Sequence, residues 1–133
     1  MASDDMRTIL SKVRIIVNSP RPYDHGVLVV TRLRVPSADP SAAAELQAGL
    51  ERARAIFAAR PGYVACEIGR NVDDPGLWVL SSRWENVGSY RRALSSYEGK
   101  MHIQPLMVHA LDEPSAYEVV EPGADLNVDV PRA

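Results

Sequence analysis

Between Arg32 and His109 the chain carries a small set of side chains able to move a proton, stack on a ring or hold an anionic oxygen. His102 is the first candidate for a general base, because an unperturbed imidazole titrates near pH ~6.5. The Tyr90 phenol could hydrogen-bond a substrate oxygen or assist proton transfer. Trp84, in the stretch "SSRWENVGSYRRAL", stands where an apolar run ends and a helix is about to begin. Its flat indole could stack on an aromatic ring while its N–H reaches a ligand oxygen. Arg32 and Arg83 could grip that oxygen once it is ionised. Each has a plainer alternative. His102 could cap a helix or face water, Trp84 and Tyr90 could fill the core, and the arginines could pair with acids such as Glu85.

Other chemistries lack their signatures. His109 lies seven residues beyond His102, but Pro105 breaks the helix that would align the two. With no H-E-x-x-H or paired-cysteine motif, no metal site is expected. Cys66 falls mid-strand without an evident histidine partner and reads as buried and inert. The serine-hydrolase elbow, the P-loop and the dinucleotide fingerprint are all missing. A net charge of -2, with arginines scattered among acids, leaves no electrostatic footprint for nucleic acid or an anionic membrane. No apolar run approaches the ~18 residues of a membrane helix, and the start "MASDDMRT" is too acidic for a signal peptide. A single cysteine excludes an intramolecular disulfide, so a cytoplasmic protein is expected.

The elements that must position these groups are read from periodicity. Residues 1–25 form an extension, punctuated by "SPRPYDHG". "VLVVTRLRV" reads as a strand, with Val27, Val29, Thr31 and Leu33 on one face and Leu28, Val30, Arg32 and Arg34 on the other. Asp39 is a natural N-cap and Pro40 a natural first helical residue. Leu46, Leu50, Ala53 and Phe57 then recur at helical spacing until "RPG" stops the helix. "YVACEIGR" and "LWVLSSRW" form a hairpin around "NVDDPG". Asn86 caps a second helix with Val87, Tyr90, Leu94 and Tyr97 on one face. "MHIQPLMVHAL" is expected to be irregular at Pro105, "SAYEVV" is a last strand, and residues 122–133 are a tail in which "LNVDV" could dock.

The order β-α-β-β-α-β is the split unit of a ferredoxin-like α+β fold with a four-stranded antiparallel sheet, here over residues 26–121. Two helices can cover only one face of such a sheet. Yet "VLVV" and "LWVL" are apolar on both faces, so Leu28, Val30 and one member of each Leu77/Trp78 and Val79/Leu80 pair need a second cover. The same face of a second copy would supply it in a homodimer. Terminal segments folding back are the alternative.

Three stretches resemble the antibiotic biosynthesis monooxygenase family of the dimeric α/β-barrel superfamily. They are "TRLRV", the hairpin "RPGYVACEIGRNVDDPGLWVLSSRWEN", and the aromatic in "WENVGSYRRALSS"; the resemblance spans about residues 27–120. It implies a homodimer forming a dimeric α/β barrel, with a mostly apolar cavity between sheet and helices. It also implies oxidation of a small phenolic or polycyclic aromatic substrate by dioxygen without metal, flavin or other cofactor. Trp84 matches the family's strand-end tryptophan, and family members often carry a histidine in the region of His102. Thr31 stands where the haem-degrading branch has asparagine, and Ala93 falls near that branch's helix tryptophan, so haem degradation is not implied. Thr31, Trp84, Arg83 and Arg32 are the expected substrate-binding residues, with His102 and Tyr90 the catalytic ones. A non-catalytic dimer binding an aromatic metabolite or haem is the other reading.

Overall fold

The computed structural model describes residues 26–123. The expected N-terminal arm and the docking of "LNVDV" lie outside the described residues. Gly26–Val119 form one compact unit. Its order is β1 (Val27–Arg34), α1 (Pro40–Ala58), β2 (Tyr63–Arg70), β3 (Leu77–Trp84), α2 (Val87–Ser95), a π-helical turn (Gly99–Ile103), a 3-10 helix (Gln104–His109) and β4 (Ala116–Glu118). The strands lie in the order β2-β3-β1-β4 with every pairing antiparallel, the ferredoxin-like α+β arrangement expected.

The alternation in β1 and β3 sorts the whole sheet. Val27, Val29, Thr31 and Leu33 are buried under the helices, and β3 sends Trp78, Leu80, Ser82 and Trp84 to the same side. Leu28, Val30, Arg32 and Arg34 take the opposite face with Leu77, Val79, Ser81 and Arg83. Of each ambiguous pair, then, Leu77 and Val79 are the members left without a helical roof. Edge strand β2 carries an irregularity between Tyr63 and Ala65, where Val64 is 54% exposed. A bulge there twists the edge and discourages pairing with another strand.

Capping and spacing explain α1. Asp39 accepts hydrogen bonds from the amides of Ser41 and Ala42, both at 3.1 Å, and Pro40 follows at the first helical position. Leu46, Leu50, Ala53 and Phe57 are its buried residues. Each large apolar side chain so placed contributes about 1.5–3 kcal/mol by leaving water.

The second helix is shorter than expected. Asn86 caps it, accepting from the Ser89 amide at 2.9 Å, but Ser96 turns to an extended conformation (φ -66, ψ 165) and ends it. Tyr97 is therefore 72% exposed and not on the inner face with Tyr90. Ser96 serves both sides of the break: its hydroxyl donates to the Ala93 carbonyl and accepts from the Gly99 amide. A Cβ at Gly99 would lie 2.2 Å from the Ala93 carbonyl oxygen, so only glycine permits this approach. The irregularity expected near Pro105 appears as the change from π to 3-10 geometry, and it seats Ile103 fully in the core.

Replacing Asp39 by alanine should lower unfolding stability by about 1 kcal/mol, measured as a shift in urea midpoint without a change in slope. Ser37→Ala, outside the cap, should leave the midpoint within about 0.5 kcal/mol.

Candidate functional site

One end of the helix-covered face is an aromatic cluster. The Trp84 ring meets Phe57 edge-on at 5.1 Å, Tyr63 edge-on at 5.8 Å and a tilted Tyr90 at 5.9 Å between centroids. Phe57 also meets Tyr90 at 6.2 Å. These separations and angles are those at which ring quadrupoles attract. Trp84 is 1% exposed, and its indole N–H donates to the Ser82 hydroxyl at 2.9 Å. Ser82 sits two residues back on the same strand face, so β3 satisfies its own buried donor. Here Trp84 is enclosed by rings with its N–H already engaged.

Tyr90 is half-buried beside that cluster, and burial pushes its phenol above the ordinary tyrosine range. At neutral pH it is a hydrogen-bond donor and not a base.

The other expected residues are distributed elsewhere. Thr31 is buried on the helix-covered face, directly opposite Leu80. His102, on the π-helical turn, has Nδ1 3.4 Å from an Arg52 guanidinium nitrogen and Nε2 3.9 Å from a Glu98 carboxylate oxygen. An arginine can only donate, so a hydrogen bond between Arg52 and His102 uses Nδ1 as the acceptor. The exposed partners of His102 and the ring partners of Tyr90 share no residue.

Arg32 and Arg83 lie on the open face of the sheet, away from the aromatic cluster. Arg32 forms a two-pronged pair with Glu113, at 2.8 and 2.7 Å, which holds the Glu113 carboxyl below the usual carboxylate range. Arg83 borders a depression of about 230 Å³ with Ala65, Cys66, Glu67 and Ser81. That is smaller than the ~300 Å³ at which ligand pockets usually begin. Cys66 itself is buried, and burial raises its thiol above the ordinary range. Among the described residues no three His, Cys, Asp or Glu side chains group as a metal site, and no helix is long and apolar enough to cross a membrane.

Trp78 was not among the expected site residues. It faces the helices in phase with Trp84, is 6% exposed, and its indole N–H has no hydrogen-bond partner. The even spacing along β3 was the signal that placed it on this side.

With this geometry in place, comparison with known proteins decides the family. The model of the antibiotic biosynthesis monooxygenase family matches residues 26–103. The chain belongs to that family. It is similar to SnoaB, a cofactor-independent oxygenase from Streptomyces nogalater, at 26% identity and a TM-score of 0.62, covering 73% of this chain and 95% of that one. A conserved protein from Methanosarcina mazei Go1 shares the fold at 17% identity and TM-score 0.59, covering 73% and 95% of the two chains. A family protein from Bordetella bronchiseptica does so at 19% identity and TM-score 0.56, covering 73% and 99%. No curated protein matches the chain. This monooxygenase-family chain thus carries the fold together with an aromatic cluster whose strand-end indole is hydrogen-bonded within its own strand.

The raised Tyr90 pKa favours the neutral phenol in the folded protein. Its contribution to stability is present below the unfolded value of about 10 and is lost as pH rises through the folded value. In a spectrophotometric titration, Tyr90→Phe should remove a phenol ionising above the ordinary range.

Proposed function

We propose that this protein is a cofactor-independent monooxygenase that oxidises a small phenolic or polycyclic aromatic compound with dioxygen, working as a cytoplasmic homodimer. The observation that carries this reading is the similarity to SnoaB over nearly the whole of that oxygenase. The aromatic side chains gathered beneath α1 and α2 are of the kind that stacks on a flat apolar ligand.

Such a reaction needs little from the protein. The ionised substrate donates an electron to dioxygen, the radical pair joins as a C–O bond, and the resulting hydroperoxide loses water. A ring CH2 and one O2 become C=O and H2O. The protein must hold the anion, orient it and keep water away. The neutral Tyr90 phenol is suited to donate a hydrogen bond to the substrate oxygen. The substrate proton leaves to solvent, since His102 stands beside Arg52 and Glu98 and shares no partner with the aromatic cluster.

Oxygen uptake by metal-free protein, across a panel of hydroxylated anthrones and naphthols, tests the activity. One O2 should be consumed per carbonyl formed. Tyr90→Phe should lower kcat roughly tenfold, the lower end for loss of one oriented donor, while His102→Ala stays within about threefold of wild type. No uptake by folded protein across the panel would remove the enzymatic reading.

A specific observation favours a second reading, a non-catalytic binder of an aromatic metabolite. The indole N–H of Trp84 is already taken by Ser82 and the candidate base lies among exposed partners. That reading requires saturable ligand binding without oxygen consumption.

The dimer has its own support in the half-buried Leu28, Val30, Leu77 and Val79 of the open face. Val30→Asp should convert a dimer to a monomer in size-exclusion chromatography with light scattering. A wild-type protein that is monomeric at micromolar concentration would contradict this assembly.

A further inference from the structure

The two tryptophans of β3 face the same side of the sheet but differ in one respect. Trp84 donates to Ser82, whereas Trp78, 6% exposed, leaves its Nε1–H without a protein acceptor. Burying an amide-like donor without a partner costs on the order of 1–3 kcal/mol. Such groups are rare in native proteins, and each calls for an account.

The indole is also held in place. The Arg70 guanidinium lies over the ring at 5.2 Å, and its Nε donates to the Pro75 carbonyl at 2.7 Å. The hairpin beyond is braced by Asn71, whose side-chain oxygen accepts from the amides of Asp73 and Asp74. A ring stacked under an anchored cation, on a strand interior to the sheet, points its N–H in a fixed direction.

Leu33 lies opposite Trp78 in the register, and Thr31 is its diagonal neighbour on the same face. Cross-strand diagonals bring such side chains to about 7–8 Å, near enough for both to reach one bound group. Among the described residues the Thr31 hydroxyl makes no side-chain hydrogen bond, although Thr31 is only 8% exposed. Arg34 pairs with Leu77, so α1 begins just beyond this end, and the bridge between Leu33 and Ala110 brings the close of the 3-10 helix to it. Ala42 and Ala43 of α1 and Leu106 and Met107 of the 3-10 helix are partly buried against the core.

We propose that Trp78 is a ligand-anchoring residue, its indole N–H donating to a carbonyl or phenolate oxygen of a planar aromatic ligand bound between β1, β3 and the helical layer, with Thr31 as the second polar contact. The assignment rests on the aromatic-ligand reading above and adds a second polar contact, to an oxygen other than the one facing Tyr90. It places that oxygen toward the opposite end of β3 from the Phe57–Trp84–Tyr90 cluster.

The test uses 9-fluorenone and fluorene, planar tricycles of nearly equal shape that differ in one acceptor oxygen. In the wild-type protein with 15N-labelled tryptophan, the Trp78 indole resonance should move on adding fluorenone well beyond its response to fluorene. The Trp84 resonance, held by Ser82, should respond alike to both. The fluorenone-to-fluorene affinity ratio should fall about tenfold in Trp78→Phe, the loss expected of one buried hydrogen bond. Fluorenone binding with no distinct response at Trp78, as when the N–H is held by a trapped water, overturns the proposal. So does an unchanged affinity ratio in Trp78→Phe. Failure of the wild-type protein to bind either compound overturns the aromatic-ligand reading and this assignment together, a result separate from binding that leaves Trp78 unmoved. The resonance measurement needs no substitution, so the proposal stays testable if the variant does not fold.

Discussion

The structure depends on a sheet with two apolar faces and a helical layer on only one of them. Period-two alternation in β1 and β3 commits Val27, Val29, Leu33, Leu80 and Trp84 to the covered side. The same alternation commits Leu28, Val30, Leu77 and Val79 to the uncovered side. Neither set can change sides without a register slip that would move every residue of its strand. Polar groups are sorted by the same rule. Thr31 and Ser82 go beneath the helices, and Arg32, Arg34 and Arg83 go outward. Two kinds of surface therefore come from one pair of strands: a layer enclosed by the helices, and an open layer that keeps half-buried apolar side chains.

The covered layer is graded from end to end. At the end of Tyr63 and Trp84, four aromatic rings fill the space between sheet and helices, and the only buried indole donor there is satisfied. At the end of Leu33 and Trp78, the close of the 3-10 helix reaches β1 through the Leu33–Ala110 bridge, and the Trp78 indole donor is left over.

Much of this was legible from local pattern, because local pattern caused it. Leu46, Leu50, Ala53 and Phe57 all prove buried, and Asp39 and Asn86 both act as caps. These are properties of spacing and of short polar side chains beside free amides. The end of α2 was not legible, since helical periodicity alone carried the inner face on to Tyr97. What stops it is the Ser96 hydroxyl bridging two turns and the close approach of Gly99 to the Ala93 carbonyl, a contact no periodicity encodes. The candidate site was less legible still. Chemistry-bearing residue types selected His102, Arg32 and Arg83, which stand beside Arg52 and Glu98, in a pair with Glu113, and at the border of a depression, respectively. Trp78 was passed over because a missing partner is a property of the assembled layer.

The bond between Trp84 and Ser82 has a mechanical side. Among the described residues no side-chain hydrogen bond runs from α1 or α2 to the strands, so at the aromatic end the two layers touch through rings and aliphatic groups. Dispersion contacts slide without a directional bond to break. Ring edges can therefore readjust there while the Trp84–Ser82 bond, internal to β3, stays made.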